Sequence, residues 1–417
     1  MTNDRLSHAL APPKRIASID VFRGLTMLLM LFVNDIGDID LGHIQNIPWW
    51  LKHMPAKVDG MTLADVIFPC FLFIVGMAVP VALGQREAAG ESLSKIIRHS
   101  VARALALVFI GLCMVNSCHG VEVSAQAMSG AAWRLLMFAG VIALWARYPK
   151  AVGAGKWLQV ALRVAAAALL AYLLATLRVN QGGAAVWLQP RWWGIIGLIG
   201  WAYLVSALVW LLCRKSGTAL LGVFALMIAL NIGLRFGLFG GWGSVVRATH
   251  GWAPSLSLGA NASMAIAGMT VASLYGPLNA ASTPWSKIRG TLLFVAGFAV
   301  AGFFLRQPWG IHKSGGTPAW ILLSMALACA VYALLYWLVD VKNFARWTTP
   351  LAQAGSNTLL MYMLPYIFYS ALALLGIDFL QVHLSEGWSG VARSAAVAVF
   401  LMGVTVLLTR MGLRLKV

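Results

Sequence analysis

Charged residues are scarce in this sequence. Only 11% of the 417 residues are charged and 60% are hydrophobic, whereas soluble domains carry charge on about a quarter of their residues. Acidic residues are the scarcest class, with 13 Asp and Glu against 31 Lys and Arg. A surface that faces water needs more polar cover than this chain can supply. The composition therefore excludes an ordinary soluble protein and predicts a chain embedded in lipid.

Cysteines and the known short catalytic motifs are also lacking. The five cysteines follow neither a disulfide pattern nor a metal-binding pattern, and we interpret them as small core residues: Cys70, Cys113, Cys118, Cys213 and Cys329. No P-loop, H-E-x-x-H or G-x-S-x-G motif occurs in the sequence. The net charge of +18 is spread thinly between apolar runs, which is typical of charge that orients membrane helices. We therefore expect no metal site and no nucleic-acid partner.

Twelve apolar runs are long enough to cross a bilayer as helices. They start near Ile16, Thr62, Arg103, Gly130, Trp157, Trp192, Ala219, Gly259, Gly290, Pro318, Leu351 and Gly390. The run at Gly259 is rich in small residues, and the run at Leu351 contains Pro365, so eleven spans are an alternative. The runs predict an all-α, polytopic membrane helix bundle of about 12 transmembrane helices, in contact with membrane lipids.

The basic residues indicate how the helices are oriented. If the N-terminus is inside, the inner segments carry 19 Lys and Arg and the outer segments carry 8, with the other 4 in or beside spans. This asymmetry favours an N-in, C-in orientation. We expect one transmembrane domain over residues 1–417, a short cytoplasmic tail over residues 1–15 and no cleavable signal peptide. The longest outer loop, residues 35–60, is too short for a soluble domain, so the function belongs within or just above the bundle.

The first span carries ionisable residues, which are expensive inside a membrane and are therefore functional candidates. Asp20 and Arg23 are three residues apart and share one helix face. They form either a neutralised pair at the interface or a site that holds a phosphate or gates a passage. Asn34 lies about 16 Å further along the same helix, near its outer mouth. Its alternative role is to cap the helix end.

A second group of polar residues surrounds His53. Asp59 and Asp65 follow closely, and Asp65 falls just inside the second span. A histidine beside a carboxylate can act as a general base near neutral pH or accept an acyl group. Thr62 and Asp65 also have the spacing of a capping box, so helix capping is the alternative for that pair.

A third group lies in the outer loop that runs from Arg306 to Trp320. It contains several hydrogen-bond donors, including His312 and Lys313. This loop is either part of a binding site or an ordinary interfacial turn with an aromatic anchor.

The sequence resembles the heparan-alpha-glucosaminide N-acetyltransferase family, and within it the bacterial branch. The resemblance rests on the N-terminal segments Arg15-x-x-Ser18-x-Asp20-x-Phe22-Arg23-Gly24 and Phe32-Val33-Asn34, then on His53 and Asp59-Gly60-Met61-Thr62-x-x-Asp65 with the run after it, to Gly76. It continues in Lys313-x-x-x-Thr317-Pro318-x-Trp320, Asp340-Val341-Lys342 and Gly355-Ser356-Asn357-Thr358-Leu359-Leu360-x-Tyr362. The opening Asp-x-x-Arg-Gly is also similar to the broader membrane acyltransferase-3 group.

The resemblance implies transfer of acetyl from cytosolic acetyl-CoA to the amine of a terminal glucosamine on the other side of a bacterial inner membrane. It implies that His53 is the catalytic residue on the extracytoplasmic side. It also implies that Asn34 is the polarising or orienting residue of the site. Asp65 or Asp59 would tune His53, and Asp20 and Arg23 would line the CoA side.

The resemblance gives less direct indications of the residues that bind the acceptor substrate. Lys313, His312 and Asn357 are the candidates for binding the substrate, and a homodimer is implied by the family's habits. Two departures fall near the acceptor. The family's His-x-x-Trp-Asn-Gly is longer here by two residues, with Asp59 at the Asn position, and the later Asn-Lys pair is here His312-Lys313.

Two other functions fit the sequence. A transporter of amino sugars or related small solutes would also have spans broken by proline and buried polar residues, although the two halves of the chain show no convincing repeat. A structural membrane subunit is the third hypothesis, and it leaves the buried Asp, Arg and His residues unexplained.

Overall fold

The structure is a computed structural model, and it describes residues 16–38, 40–118, 128–150, 152–181, 184–214, 216–241, 259–276, 279, 282–344 and 346–416. Nearly all regular structure in these residues is helical. The first half contains α1 (Ala17–Gly37), α2 (Leu63–Ala88), α3 (Leu93–Val115), α4 (Gly130–Trp145), α5 (Ala154–Thr176), α6 (Gly194–Cys213) and α7 (Gly217–Arg235). A small antiparallel hairpin, β1 (Val179–Gln181) and β2 (Ala184–Val186), joins α5 to α6. The predicted tail over residues 1–15 lies outside the described residues.

The described residues of the second half form seven more α-helices. They are α8 (Ala260–Ser273), α9 (Pro284–Trp309), α10 (Pro318–Tyr336), α11 (Thr349–Gly355), α12 (Thr358–Leu374), α13 (Phe379–His383) and α14 (Gly387–Arg410). The predicted all-α membrane bundle is confirmed. Cys70, Cys113, Cys118 and Cys329 are buried, and Cys213 is half-buried. All five are free thiols, as expected of core residues.

Each of the twelve predicted runs contains a helix, but the helices differ in length. Within the described ranges, nine are long and apolar enough to cross a membrane, and ten if α11 and α12, which meet at a bend of 79°, count as one span. The other two predicted spans, α4 and α8, have 16 and 14 residues. Nearly every residue of α8 is buried between neighbouring helices, so this helix packs against protein rather than lipid.

Glycines let the central helices approach closely. A Cβ on Gly24 of α1 would lie 1.9 Å from the carbonyl oxygen of Leu351, and one on Gly76 of α2 would lie 1.8 Å from that of Ala265 in α8. Any side chain at these two positions would force the backbones apart. Small residues at helix crossings are the usual way to pack membrane helices, because lipid offers no hydrophobic drive for their association.

The start of α1 is held by a residue distant in sequence. The backbone N–H groups of Ala17 and Ser18 donate to the two carboxylate oxygens of Asp340, each at 3.0 Å. Asp340 lies in a π-helical turn, Trp337–Val341, that follows α10. A carboxylate at a helix N-terminus satisfies orphan N–H groups and interacts favourably with the helix dipole. This contact fixes the N-terminal end of α1, from which Asp20 and Arg23 project.

The burial of the helices separates the centre of the bundle from its rim. In the most apolar window of α2, 72% of the residues are buried, against 17% in α5 and 22% in α9. The exposed faces of α5 and α9 are apolar, as a lipid-facing surface requires. The loop of residues 38–62 joins α1 to α2, so the last turn of α1 and the first turn of α2 share one end of the bundle. His53 lies in this loop.

Candidate functional site

His53 is oriented by a buried carboxylate at the start of α2. Its Nδ1 lies 2.8 Å from Oδ1 of Asp65. The His53 side chain is 48% exposed, whereas that of Asp65 is 1% exposed. An ionised carboxylate only accepts hydrogen bonds, so Nδ1 carries the proton and Nε2 keeps its lone pair. The arrangement leaves a basic nitrogen directed away from Asp65.

Asp65 is positioned by the helix cap that the sequence predicts. The backbone N–H groups of Met54 and Thr62 donate to its Oδ2 at 3.0 and 3.1 Å. Two backbone donors and His53 together stabilise the ionised carboxylate in its buried position. The sequence left open whether Asp65 caps α2 or contacts His53. In the structure, the Asp65 carboxylate does both, through Oδ2 and Oδ1 respectively.

Lys313 completes this cluster from the loop between α9 and α10. Its Nζ lies 3.1 Å from Nδ1 and 3.4 Å from Nε2 of His53, and 3.8 Å from Oδ1 of Asp65. Burial lowers the pKa of Lys313 to about 8, although the negative charge of Asp65 acts in the opposite direction. An amine that is neutral in part near neutral pH therefore lies beside the histidine.

The loop that carries Lys313 is anchored at the start of α10. Thr317 caps this helix by accepting from Trp320 N–H at 3.4 Å, and Pro318 occupies its first turn. The indole Nε1 of Trp320 donates to the backbone oxygen of Asp65 at 3.2 Å. The spacing of Lys313, Thr317, Pro318 and Trp320 thus has a structural explanation, because it docks the loop onto the first turn of α2.

Asp59 and His312 lie near this cluster but do not contact His53. Asp59 accepts from Arg306 Nε at 2.9 Å and from Ile311 N–H at 2.7 Å. The hydrogen bond from Ile311 and the Arg306 guanidinium hold the pKa of Asp59 below its usual value. Asp59 therefore joins the loop between α1 and α2 to the loop between α9 and α10. The structure brings Asp65, rather than Asp59, to His53.

Asn34 lies deeper, on the last turns of α1. Its backbone oxygen accepts from Asp38 N–H at 2.8 Å, and its side chain lies against the hydroxyl of Tyr362 in α12. No hydrogen bond joins Asn34 to His53 in the described ranges. The Tyr362 hydroxyl is buried.

A cavity of about 350 Å³ is lined by Tyr362 and by other residues of α1, α2, α3, α6, α11 and α12. Its middle is apolar, and its walls there are formed by Met27, Met30, Phe71, Val75, Val79, Leu107, Ile195, Ile196 and Ile199. The end away from His53 is basic and includes Arg23, Arg103 and Lys416. The lining contains no acidic side chain among the described residues, so this end is suited to anions.

The two arginines at the basic end have different surroundings. Arg23 Nη1 lies 3.4 Å from Oδ1 of Asp20, so the predicted pair is formed. The Arg103 guanidinium lies over the ring of Tyr203, with 4.8 Å from its carbon to the ring centroid. Arg103 Nε is buried and lacks a hydrogen-bond partner in the part of the chain described. A buried donor without a partner is costly, and a ligand in the cavity would relieve that cost.

Asn357 lies at this same basic end, between α11 and α12. Its side chain donates to Leu413 O at 2.9 Å and accepts from Leu415 N–H at 3.2 Å. The preceding Gly355 packs on the backbone of Asp20 and Gly24. The structure therefore places Asn357 on the cavity wall, at the end of the bundle opposite to His312 and Lys313.

The cavity and His53 are stacked along one axis. Of the cavity-lining residues on α2, Phe71 is the closest in sequence to Asp65, which lies six residues earlier on the same helix, a rise of about 9 Å. Asn34 and Tyr362 lie at the intermediate level. A basic mouth, an apolar tube and a His–Asp pair thus follow one another through the bundle.

Sequence reasoning missed several residues of this axis. Arg103 was counted among the inner loop charges, but α3 begins at Leu93, so Arg103 lies about 15 Å into the helix. An arginine at that depth is a functional signal by the same rule that selected Arg23. Tyr203 and Tyr362 gave no such signal, because tyrosines are common in apolar spans.

Over the described ranges, no group of three or more His, Cys, Asp or Glu side chains is arranged to hold a metal ion. We therefore assign no residue to a metal.

The chain is similar to known proteins over part of its length. Residues 15–258, which include α1 to α7 and His53, match the family described as "Domain of unknown function (DUF5009)". The chain belongs to this family. The matched segment contains His53, Asp65, Arg23 and Arg103, whereas Lys313 and Asn357 lie beyond it.

Two curated relatives are also similar to this DUF5009 chain. Heparan-alpha-glucosaminide N-acetyltransferase of Homo sapiens is 34% identical over 106 residues, which cover 25% of this chain and 14% of that protein. The protein of the same name of Mus musculus is 34% identical over 102 residues, covering 24% of this chain and 14% of the relative. The match thus spans about one seventh of the length of each relative. It confirms the resemblance to that family; the bacterial branch stays a prediction.

Proposed function

We propose that this protein is a membrane-embedded acetyltransferase that moves acetyl from acetyl-CoA to the amine of an amino sugar. The observation that carries the proposal is the His53–Asp65 pair, with Nδ1 and Oδ1 2.8 Å apart, above a cavity whose far end is basic. The two relatives are named as N-acetyltransferases that act on a glucosaminide, which supports the same reaction class.

His53 acts as the general base in this proposal. An amine acceptor arrives mostly protonated and must lose a proton before it can attack a carbonyl carbon. Nε2 accepts that proton, while Nδ1–H remains bound to Asp65. The carboxylate orients the ring and stabilises the positive charge that develops on it, as in other His–carboxylate pairs.

The cavity suits the shape and the charge of acetyl-CoA. Acetyl-CoA supplies an acetyl thioester at the end of a long flexible arm, with phosphates at the other end. Arg23, Arg103 and Lys416 would hold the phosphates, and the apolar middle would take the arm. Asn34 and Tyr362 lie at the outer end of the cavity, where an amide or a phenol can donate to an acyl oxygen.

The acceptor would enter from the end that carries His53. That end is extracytoplasmic if the charge asymmetry of the loops sets the orientation, and the basic mouth then faces the cytosol. Lys313 and His312 lie at the acceptor end, whereas Asn357 lies at the CoA end. Localisation in a bacterial inner membrane and assembly as a homodimer stay predictions.

The test is acetyl transfer by the purified full-length protein in detergent, with labelled acetyl-CoA and glucosamine-terminated acceptors. Wild type is compared with His53→Gln and with His43→Asn. His43 is an exposed histidine in the same loop, with a positive φ of 44° that asparagine tolerates well, so it is a matched control. We expect transfer by wild type and His43→Asn, and none by His53→Gln, while all three bind CoA equally in a thermal-shift titration.

The transporter hypothesis is tested with the same preparations. Wild-type protein that transfers no acetyl but carries amino sugar into proteoliposomes would replace the enzyme by the transporter. Acetyl transfer that survives in His53→Gln would show that the protein is an enzyme whose reaction does not need His53. An acetylated His53 found by rapid quench and mass spectrometry would show that the histidine accepts the acetyl group instead of acting as a base.

A further inference from the structure

Lys313 holds an amine at the position where the proposed reaction needs one. Its Nζ lies 3.4 Å from Nε2 of His53, just beyond the about 2.6–3.2 Å at which a general base takes a proton, and such contacts are commonly longer before the reactants are bound. An acyl carbon that reaches an acceptor there also comes within reach of Nζ. The side chain is 32% exposed, so it is held in place rather than free in solvent.

We propose that Lys313 is itself an acceptor, and that the protein acetylates its own Lys313 Nζ when acetyl-CoA is bound and no amino sugar is present. This proposal rests on the proposed function. It assigns a modification site to the contact between Lys313 and His53.

The chemistry of the step is balanced by groups already in place. The lone pair of neutral Lys313 Nζ attacks the carbonyl carbon of the acyl thioester, so that a C–N bond forms and the C–S bond breaks. The proton lost by Nζ passes through His53 Nε2 to the departing thiolate. The products are an N-acetylated lysine and free CoA, and no oxidant or reductant takes part.

The electrostatics of the site support a neutral amine at this position. Burial lowers the pKa of Lys313 to about 8, so a substantial fraction of the side chain is unprotonated in mildly alkaline buffer. The titratable groups that face it are His53 and Asp65. Lys57, in the loop that carries His53, is exposed and has no such neighbours among the described residues.

Acetylation of Lys313 would change the site in a defined way. It removes the positive charge beside Asp65 and leaves a neutral amide in the space where the acceptor amine approaches His53. The modified protein is therefore expected to be a poor enzyme. Excess amino sugar should protect it, because both amines compete for the same position.

The experiment is peptide mass spectrometry of full-length protein incubated with deuterated acetyl-CoA, with and without a glucosamine-terminated acceptor. Acetylation is quantified at Lys313 and, as an internal measure of spontaneous acetylation, at Lys57. Wild type, His53→Gln and Lys57→Arg are compared. We expect labelled acetyl at Lys313 at least tenfold above that at Lys57 in wild type and in Lys57→Arg, with the excess lost in His53→Gln and reduced by acceptor.

The outcomes separate this proposal from the proposed function. Transfer to the acceptor without excess label at Lys313 would overturn self-acetylation and leave the enzyme intact. Equal label at Lys313 in wild type and His53→Gln would also overturn it, because the modification would then be spontaneous. Label at neither Lys313 nor the acceptor would overturn both proposals.

Discussion

Two aspartates at the end of the bundle that carries His53 are equally buried but have different partners. Asp35 on α1 accepts from Tyr369 Oη at 2.6 Å, from Arg393 Nη2 at 3.3 Å and from Ser394 Oγ. The side chains of Asp35 and Arg393 are both 2% exposed. Asp65 on α2 is 1% exposed, but its partners His53 and Lys313 are 48% and 32% exposed.

This difference indicates why one carboxylate is structural and the other is a candidate for catalysis. Burial of a carboxylate is tolerated only when donors surround it. All the side-chain donors around Asp35 are themselves closed off from solvent, so the contacts of this carboxylate lie wholly inside the bundle. Asp65 shares its charge with two side chains that can exchange protons with water or with a substrate. The same desolvation thus stabilises helix packing in one place and orients a base in the other.

Removal of the Asp65 charge is expected to have the largest effect on activity. In Asp65→Asn, the amide no longer enforces the Nδ1–H form of His53, so the transfer rate should fall about 100-fold or more. Asp35→Asn should keep the rate per folded molecule within about threefold. The measurement is kcat for acetyl transfer in both variants. Equal losses would abolish the functional distinction between the two carboxylates.

Disruption of the Asp35–Arg393 ion pair is expected to have the largest effect on the stability of the fold. Arg393→Met leaves Asp35 buried without its cation, which should lower the free energy of unfolding by about 3–5 kcal/mol. The measurement is thermal or denaturant unfolding in detergent, with Lys313→Met as the comparison. The double variant Asp35→Asn/Arg393→Met should recover part of the loss, because no uncompensated charge remains. A greater loss in Lys313→Met would reverse the comparison.

The titration of Lys313 provides a smaller and more specific effect. Its pKa of about 8 lies below the value of about 10.4 for a free lysine. The folded protein therefore binds fewer protons than the unfolded chain between these values, and this group makes stability rise with pH across that window. Amine labelling at Lys313 should have its midpoint near pH 8. A midpoint at the value of a free lysine, about 10.4, would contradict the assignment.

Substitution at the basic end of the cavity is expected to have the smallest effect. Arg103→Leu should raise the KM for acetyl-CoA about tenfold, the equivalent of one charged hydrogen bond, and leave kcat unchanged. Arg98→Leu, an exposed arginine five residues earlier on α3, is the matched control and should behave as wild type. A fall in kcat with unchanged KM in Arg103→Leu would move this residue from binding to chemistry.

Local properties of the sequence predicted much of the fold. Low charge and long apolar runs indicated a helical membrane bundle, because the backbone of a lipid-embedded segment must satisfy its own hydrogen bonds. The cap formed by Thr62 and Asp65 was also predicted from a spacing of three residues. The lengths of α4 and α8 were not, because a short helix buried by its neighbours has the same apolar composition as a span.

The choice among the candidate site residues depended on distant contacts. Asp59 and Asp65 are both close to His53 in sequence, and only the fold directs Asp59 to Arg306, 247 residues away. Asn357 was grouped with Lys313, yet the close packing of Gly355 on Gly24 places it at the other end of the bundle.

Hydropathy and helix caps are set by neighbours within a few residues, so the amino-acid sequence is sufficient to establish the membrane-embedded helices and the candidates His53, Asp65 and Arg23. The contact between Lys313 and His53 joins residues 260 positions apart, and the cavity is lined by residues of six of the described helices. Contacts of this kind arise from the packing of helix faces and from glycines at their crossings. They exist only once the bundle has assembled.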